Sequence, residues 1–283
     1  MDECRHGFEA GMCATCFPPP EPVAKPATAT VRAPRMTTSL RGTPTRTSSR
    51  PPARVPGTRA AATFTPVDPK TVRIYHVTHV ENLASIFGAG AILADTTGAE
   101  PEVDVSAPAA REFRRSAPVE GTDNVVADYV PFLLSTDAHM WEALRTGSPD
   151  PRLASSAASR PASDHVLFVT SIEKAVGART EQVGAVAITG ADVAATGSVA
   201  DSSWPDVLRA LQRIHSDDDG AQLASGEFLV HDALPLERVL LIAVGNDRVR
   251  DRVRAVLDTF DLRTRVAVHP PYFQPGGGAV SEA

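Results

Sequence analysis

Apolar residues follow no period over the first seventy positions and then fall into two rhythms, one of two residues and one of three to four. The two-residue rhythm opens at residue 72. Val72, Ile74, His76 and Thr78 lie on one side of a strand and Tyr75 and Val77 on the other. The spacing then changes, so that Leu83, Ile86 and Phe87 form the stripe of a short helix that Gly88 and Gly90 end. Residues 91–94 read as a short apolar strand or turn. A polar, acidic stretch leads from there into a short helix over 109–116.

Further along, residues 129–135 are a second apolar strand, and 137–146 a helix carrying Met140, Trp141 and Leu144. Residues 152–163 form a small-residue loop. The runs 165–171, 184–189 and 239–244 are rich in Val, Ile and Phe without polar alternation, the pattern of strands buried on both faces. Pro205 opens a helix whose Val207, Leu208, Leu211 and Ile214 share a face. An acidic, Gly-containing loop over 216–226 delivers residues 227–231, a strand headed by Glu227. Val249, Val253, Val256, Leu257 and Phe260 mark an amphipathic helix, and 265–269 the last strand. Strands outnumber helices and the helices are short, so the expected class is α+β with a central split β-sheet and short flanking helices.

Charge separates the chain into parts. Residues 20–60 hold eight basic residues (Lys25, Arg32, Arg35, Arg41, Arg46, Arg50, Arg54, Arg59) against Glu21, a net +7. Residues 61–283 hold 19 basic and 30 acidic residues, a net −11. The basic segment is rich in Pro, Thr, Ala and Ser and reads as a disordered linker over 20–70, an arm suited to tracking a polyanion. One folded body follows over 71–273, with a disordered tail over 274–283. No apolar run approaches the ~20 residues that span a bilayer, and the N-terminus lacks a signal-peptide pattern, which points to a soluble, cytoplasmic protein. Cysteine is confined to residues 1–19, as Cys4-x-His6 and Cys13-x-x-Cys16. Three thiolates and an imidazole suit a tetrahedral structural zinc, so this segment is expected to be a zinc knuckle that docks or contacts nucleic acid.

Three pieces of chemistry stand out in the folded body. His76 and Thr78, two apart on a strand, can together hydrogen-bond a planar amide or a ribose, although a histidine and a threonine at such positions also occur as ordinary core residues. Arg111, Arg114 and Arg115 can clamp a diphosphate or form a solvated helix face. Glu227 heads a strand after a long loop. The chain has no serine elbow, no Gly-x-x-x-x-Gly-Lys and no Gly-x-Gly-x-x-Gly.

This order of motifs resembles the DarT family of NAD-dependent ADP-ribosyltransferases, toxins that modify bases in single-stranded DNA. The matching residues are Tyr75-His76-Val77-Thr78-His79-Val80-x-Asn82-Leu83-x-x-Ile86, Arg111-Glu112-Phe113-Arg114-Arg115 and Asp128-Tyr129-Val130-Pro131-Phe132. Glu227-Phe228-Leu229-Val230 and the ending from Val266 to Phe273 complete the set, which spans about residues 71–273. The resemblance implies an ADP-ribosyltransferase fold and a site in which His76, Thr78 and Asn82 hold the nicotinamide-ribose end of NAD⁺. It implies Glu227 as the catalytic glutamate and Arg114 as the catalytic arginine, with Arg111 the competing candidate and a cofactor-binding residue. It further implies thymidine as the base, single-stranded DNA as the partner, and a macrodomain antitoxin that removes ADP-ribose. Breaking the glycosidic bond of NAD⁺ develops positive charge on the ribose, which a carboxylate stabilises, and the same carboxylate can take the proton of the attacking base. The chain departs from the pattern after Phe132, where an aromatic and then Arg-Ser-Pro-Met is replaced by residues 133–141 without a basic residue. Other outcomes compatible with the motifs are an ADP-ribosyltransferase for RNA or protein, an NAD glycohydrolase, or a non-catalytic nucleic-acid-binding module.

Overall fold

The structure is a computed structural model that describes residues 66–98, 100–191, 201–217 and 220–276. The Cys/His segment and residues 20–65 of the expected linker lie outside the described residues, as does the tail beyond residue 276, while residues 66–70 are described and Val67 packs against the core. In chain order the strands are β1 (Arg73–His79), β2 (Ala91–Leu93), β3 (Tyr129–Leu133), β4 (His165–Ser171), β5 (Val186–Thr189), β6 (Glu227–His231), β7 (Ala233–Pro235), β8 (Leu241–Val244) and β9 (Val266–Val268). The helices are α1 (Leu83–Ala89), α2 (Pro108–Ser116), α3 (His139–Thr146), α4 (Ser155–Ala158), α5 (Ile172–Val176), α6 (Trp204–His215), α7 (Ala221–Ser225) and α8 (Asp247–Thr259). Two stretches read from the sequence as loops therefore contain a helical turn: α4 within 152–163 and α7 within 216–226. Both are too short for an apolar period to register.

Seven strands form one sheet in the order β5-β6-β3-β1-β4-β8-β9, and β2 pairs with β7 in a small second sheet. Pairing is antiparallel except between β8 and β9. The large sheet is two halves. On one side β5, β6 and β3 are in continuous register, and on the other β1 and β4 pair over all seven residues from Arg73↔Ser171 to His79↔His165. Between the halves β1 and β3 share a single pair, Tyr75↔Leu133. The expected split of the sheet lies at this joint.

Each face of the sheet is covered. On one, Leu83 and Phe87 of α1, Ile172 and Val176 of α5, Val207, Leu211 and Ile214 of α6, and Val249, Val253 and Leu257 of α8 pack on Ile74, Phe132, Phe168 and Phe228. Apolar burial of this kind contributes about 1.5–3 kcal/mol per large side chain. On the other face Trp141 and Leu144 of α3 cover Tyr75, Val77, Leu133 and Leu167, together with Phe273. Trp141 Nε1 donates to the Tyr272 carbonyl at 2.7 Å, which ties the chain's end over α3. Strand β4 is buried along its whole length, which explains its unbroken apolar run. No helix among the described residues is long and apolar enough to cross a membrane.

Candidate active site

A cavity of about 290 Å³ opens where the two halves of the sheet part. Tyr75, His76, Val77 and Thr78 all line it. Successive strand residues point to opposite faces, so four in a row reach one cavity only if it runs along the strand's edge. Single-pair joining of β1 to β3 exposes that edge, and with it backbone groups able to pair with a flat ligand.

The sheet register puts a row of residues across the split. Glu227 pairs with Leu133, and Leu133 with Tyr75, so the three share one face, and all three line the cavity. Glu227 therefore sits beside the point where the halves join. Gly226 N donates to Gln222 O at 2.7 Å, which closes α7 immediately before the strand begins. Helix α2 supplies the facing charge: Arg114 Nη1 donates to both Glu227 oxygens, at 3.2 and 3.0 Å, with both side chains largely buried. Arg114 Nη2 is buried without a hydrogen-bond partner among the described residues. Such an unsatisfied donor costs on the order of 1–3 kcal/mol, so Nη2 stands ready to donate to an oxygen of a ligand.

No residue of helix α2 is fully buried. The face that would ordinarily meet a core carries Ala110, Arg111 and Arg114 and borders the cavity instead. Arg111 is held differently from Arg114. Its guanidinium donates to Asp104 at 2.6 Å, to Glu100 at 3.2 Å and, closely, to Asp95. Burial alone would lower its pKa, but the hydrogen bonds it donates to Asp95 and Asp104 prevail and raise it. Arg115 shares Asp95 at 3.1 Å. The arginine cluster is thus divided: Arg114 meets the glutamate, while Arg111 and Arg115 tie α2 to the acidic segment before it. Arg111 has carboxylates where a diphosphate was expected.

His76 Nδ1 donates to the Pro131 carbonyl across the split at 2.9 Å, which leaves Nε2 as the acceptor. Burial, and then the Arg114 charge, push the His76 pKa down to about 4 against the carbonyl's opposite pull, so the ring is neutral at pH 7. Thr78 and Asn82 are buried beside it. Asn82 Nδ2 donates to Thr78 Oγ1 at 3.0 Å and to the Val103 carbonyl at 2.8 Å, and Asn82 Oδ1 accepts from Val103 N at 2.9 Å. The Asn82 amide thereby clips the acidic segment to α1 and orients the threonine hydroxyl.

A profile of the family described as "ssDNA thymidine ADP-ribosyltransferase, DarT" matches residues 75–274. The chain belongs to the DarT family. Its members are single-stranded-DNA thymidine ADP-ribosyltransferases, so this DarT chain is an enzyme of that class. Thermus sp. 2.9 DarT in complex with ADP-ribosylated ssDNA superimposes with a TM-score of 0.58 at 22% identity, over 71% of this chain and 96% of that one. The same protein in complex with NAD⁺ gives 0.57 at 21% identity, over 74% and 100%. Thermosipho africanus DarTG in complex with ADP-ribose gives 0.51 at 13% identity, over 71% of this chain and 50% of that one. These likenesses show a shared DarT fold. A search of curated proteins gave no match.

Of the residues singled out in the sequence, His76, Thr78, Asn82, Arg111, Arg114 and Glu227 all line this one DarT cavity. Cys4, His6, Cys13 and Cys16 lie outside the described residues, and among those described no group of three or more His, Cys, Asp or Glu could hold a metal. Sequence reasoning missed Asp95 and Asp104, which decide what Arg111 does, although the acidic character of that stretch was the available signal. It also missed Ser225, Met140 and Arg152 on the cavity wall, for which no local pattern exists.

Proposed function

We propose that this cavity binds NAD⁺ and transfers its ADP-ribose to thymidine in single-stranded DNA, with Glu227 and Arg114 as the catalytic pair. The observation that carries the reading is the Arg114–Glu227 ion pair inside the cavity that His76 and Thr78 wall. The matching folds that bind NAD⁺ and carry ADP-ribosylated ssDNA in Thermus DarT support it.

The nicotinamide-ribose end lies against the open edge of β1, where a neutral His76 accepts and Thr78, held by Asn82, offers its hydroxyl. As the bond between ribose C1 and the nicotinamide nitrogen lengthens, positive charge grows on the ribose and the Glu227 carboxylate stabilises it. Nicotinamide leaves with the bond's electron pair. The ring nitrogen of thymidine that carries a proton, N3, bonds to C1, and its proton passes to Glu227. Arg114, turned so that Nη2 meets a thymine carbonyl, balances the negative charge on the base as that proton departs. Arg111 contributes by holding α2 and the acidic segment in place.

The reading extends to context. The chain acts in the cytoplasm as the toxin of a toxin–antitoxin or phage-defence pair, its antidote a macrodomain that removes ADP-ribose; the likeness to a DarTG protein in complex with ADP-ribose supports this. Residues 71–273 are the catalytic body, residues 1–19 a zinc knuckle held by Cys4, His6, Cys13 and Cys16, and residues 20–70 a basic linker. Metal analysis of the full chain checks the knuckle: one zinc per chain is expected, lost on deletion of residues 1–20.

The direct test incubates the full chain with NAD⁺ and single-stranded oligonucleotides that contain or lack thymidine. The oligonucleotide with thymidine should gain one ADP-ribose by mass and the other none. Glu227→Gln keeps the side chain's shape and should slow transfer about 10²–10⁴-fold while NAD⁺ affinity changes little. Transfer at the wild-type rate by Glu227→Gln would remove the glutamate from the mechanism.

A further inference from the structure

Two side chains beside Glu227 have no part in the proposed function. Ser225 lines the cavity just ahead of the glutamate, and Gly226 between them is extended, at φ −76° and ψ 157°. His139 opens α3, where Ala138 before it and Met140 after it also line the cavity. The two side chains meet at 3.3 Å, His139 Nδ1 to Ser225 Oγ. The serine is half-buried on the cavity wall, whereas the histidine is exposed and stands outside that wall. The pair therefore marks the cavity's mouth on the Glu227 side, across the split from His76 and Thr78. A base carried by a DNA strand enters from solvent and has to pass this mouth to reach Glu227.

Around N3, thymine presents a carbonyl, an N–H and a second carbonyl. In the proposed function Glu227 takes the N3 proton and Arg114 meets one carbonyl, which leaves the other without a donor. On the wall made by Ala138, Met140, Ala224, Ser225 and Gly226, the serine alone has a side chain that donates a hydrogen bond. A hydroxyl has one proton, so what Ser225 offers the base depends on His139. With a proton on Nδ1, the ring donates to Oγ and the hydroxyl turns its own proton to a carbonyl. With Nδ1 bare, the hydroxyl donates to the ring and Oγ can only accept, which suits the amino group of cytosine instead.

We propose that Ser225 recognises the second carbonyl of the target thymine and that His139, donating from Nδ1, is the positioning residue that turns the serine hydroxyl to it. This rests on the proposed transfer to thymidine at Glu227. The experiment measures kcat/KM of the full chain for oligonucleotides with one target thymidine, or with 2-thiothymidine or 4-thiothymidine in its place. Sulfur accepts hydrogen bonds poorly, so each thio base weakens one carbonyl. Ser225→Ala should lower kcat/KM for thymidine about 3- to 10-fold, the size of one neutral hydrogen bond, with NAD⁺ affinity unchanged. On one of the two thio bases that loss should vanish, because the bond is already gone, and on the other it should remain. Ser225→Thr keeps the hydroxyl and should recover most of the rate. His139→Phe should show a smaller loss with the same dependence on the base, and the double variant should be no slower than Ser225→Ala.

An unchanged kcat/KM for thymidine in Ser225→Ala would overturn the inference, as would a loss of equal size on all three bases. Weaker NAD⁺ binding by Ser225→Ala would put the serine on the cofactor and overturn it too. No loss in His139→Phe, or an additive loss in the double variant, would remove His139 from the serine's role. Should Ser225→Ala fail to fold, His139→Phe, at an exposed position, asks the same question of the thio bases. A wild type that leaves thymidine unmodified would overturn the proposed function itself.

Discussion

Gly226 separates α7 from Glu227, and replacing it by alanine tests how strictly the glutamate's place is set. The backbone there, φ −76° and ψ 157°, suits any residue, so strain is not the issue. Space is. A Cβ at 226 would stand 2.5 Å from Thr189 O, 2.6 Å from Gln222 O and 2.8 Å from Leu134 Cδ1. Such contacts stay beyond 3.0 Å in real proteins, so the site must open by about 0.5 Å, the difference between 3.0 and 2.5 Å. Leu134 can turn away, but the two oxygens cannot. Gln222 O holds the α7 turn by accepting from Gly226 N, and Thr189 is paired with Glu227 in the β5–β6 register. The displacement therefore passes to Glu227. Overpacking of this kind costs about 1–3 kcal/mol. A misplacement of ~1 Å near reacting atoms can cost about 10²-fold, so half of that should cost roughly 10-fold in transfer rate. The assay is transfer to a thymidine oligonucleotide at saturating NAD⁺, with urea unfolding of the same protein. Gly147→Ala is the control: that glycine has φ +67° with no atom near its would-be Cβ, so alanine should cost about 1 kcal/mol of stability and no activity. Full activity and unchanged stability in Gly226→Ala would refute the argument that β6 is held against this turn.

Other consequences follow from single contacts. Asn82→Ala removes three hydrogen bonds and leaves the buried Val103 amide unpaired; about 2–4 kcal/mol should be lost in urea unfolding, with a higher KM for NAD⁺ as Thr78 loses its orientation. His165 is fully buried beside His79, their rings 5.0 Å apart, and burial followed by the neighbouring histidine pushes its pKa down to about 4. A depressed histidine makes the unfolded chain the better proton binder, so stability is complete above about pH 6.5 and falls as pH drops from 6.5 to 4. The loss should reach about 3 kcal/mol from His165 alone, and His165→Phe should flatten that part of an unfolding-versus-pH curve. Deleting residues 20–60 should weaken DNA binding and reduce its salt slope, since fewer counterions are released; an unchanged slope would make the segment a spacer.

Much of this protein is legible along the chain. Residues 165–171 and 227–231 are strands at the bounds their apolar runs suggest, and the order His-x-Thr, arginine cluster, glutamate identifies the family. Local patterns suffice there because side-chain periodicity and motif spacing are properties of neighbouring residues. Helical spacing also implies that Arg111 and Arg114, three apart, look the same way, as they do.

What the tertiary structure alone decided is which partners those side chains meet. Arg114 finds Glu227 113 residues away, and Arg111 finds Asp95 and Asp104, so two arginines on one helix face have different chemistry. The single Tyr75↔Leu133 pair that opens the cavity depends on where two strands diverge, and no run of residues in either strand encodes it. Arg152 lies in a small-residue loop without a period, and it borders the cavity because residues 105–107 bond to its segment. Partner choice is set by long-range backbone pairing and by which charges end up buried together, and those energies exist only once the chain has folded.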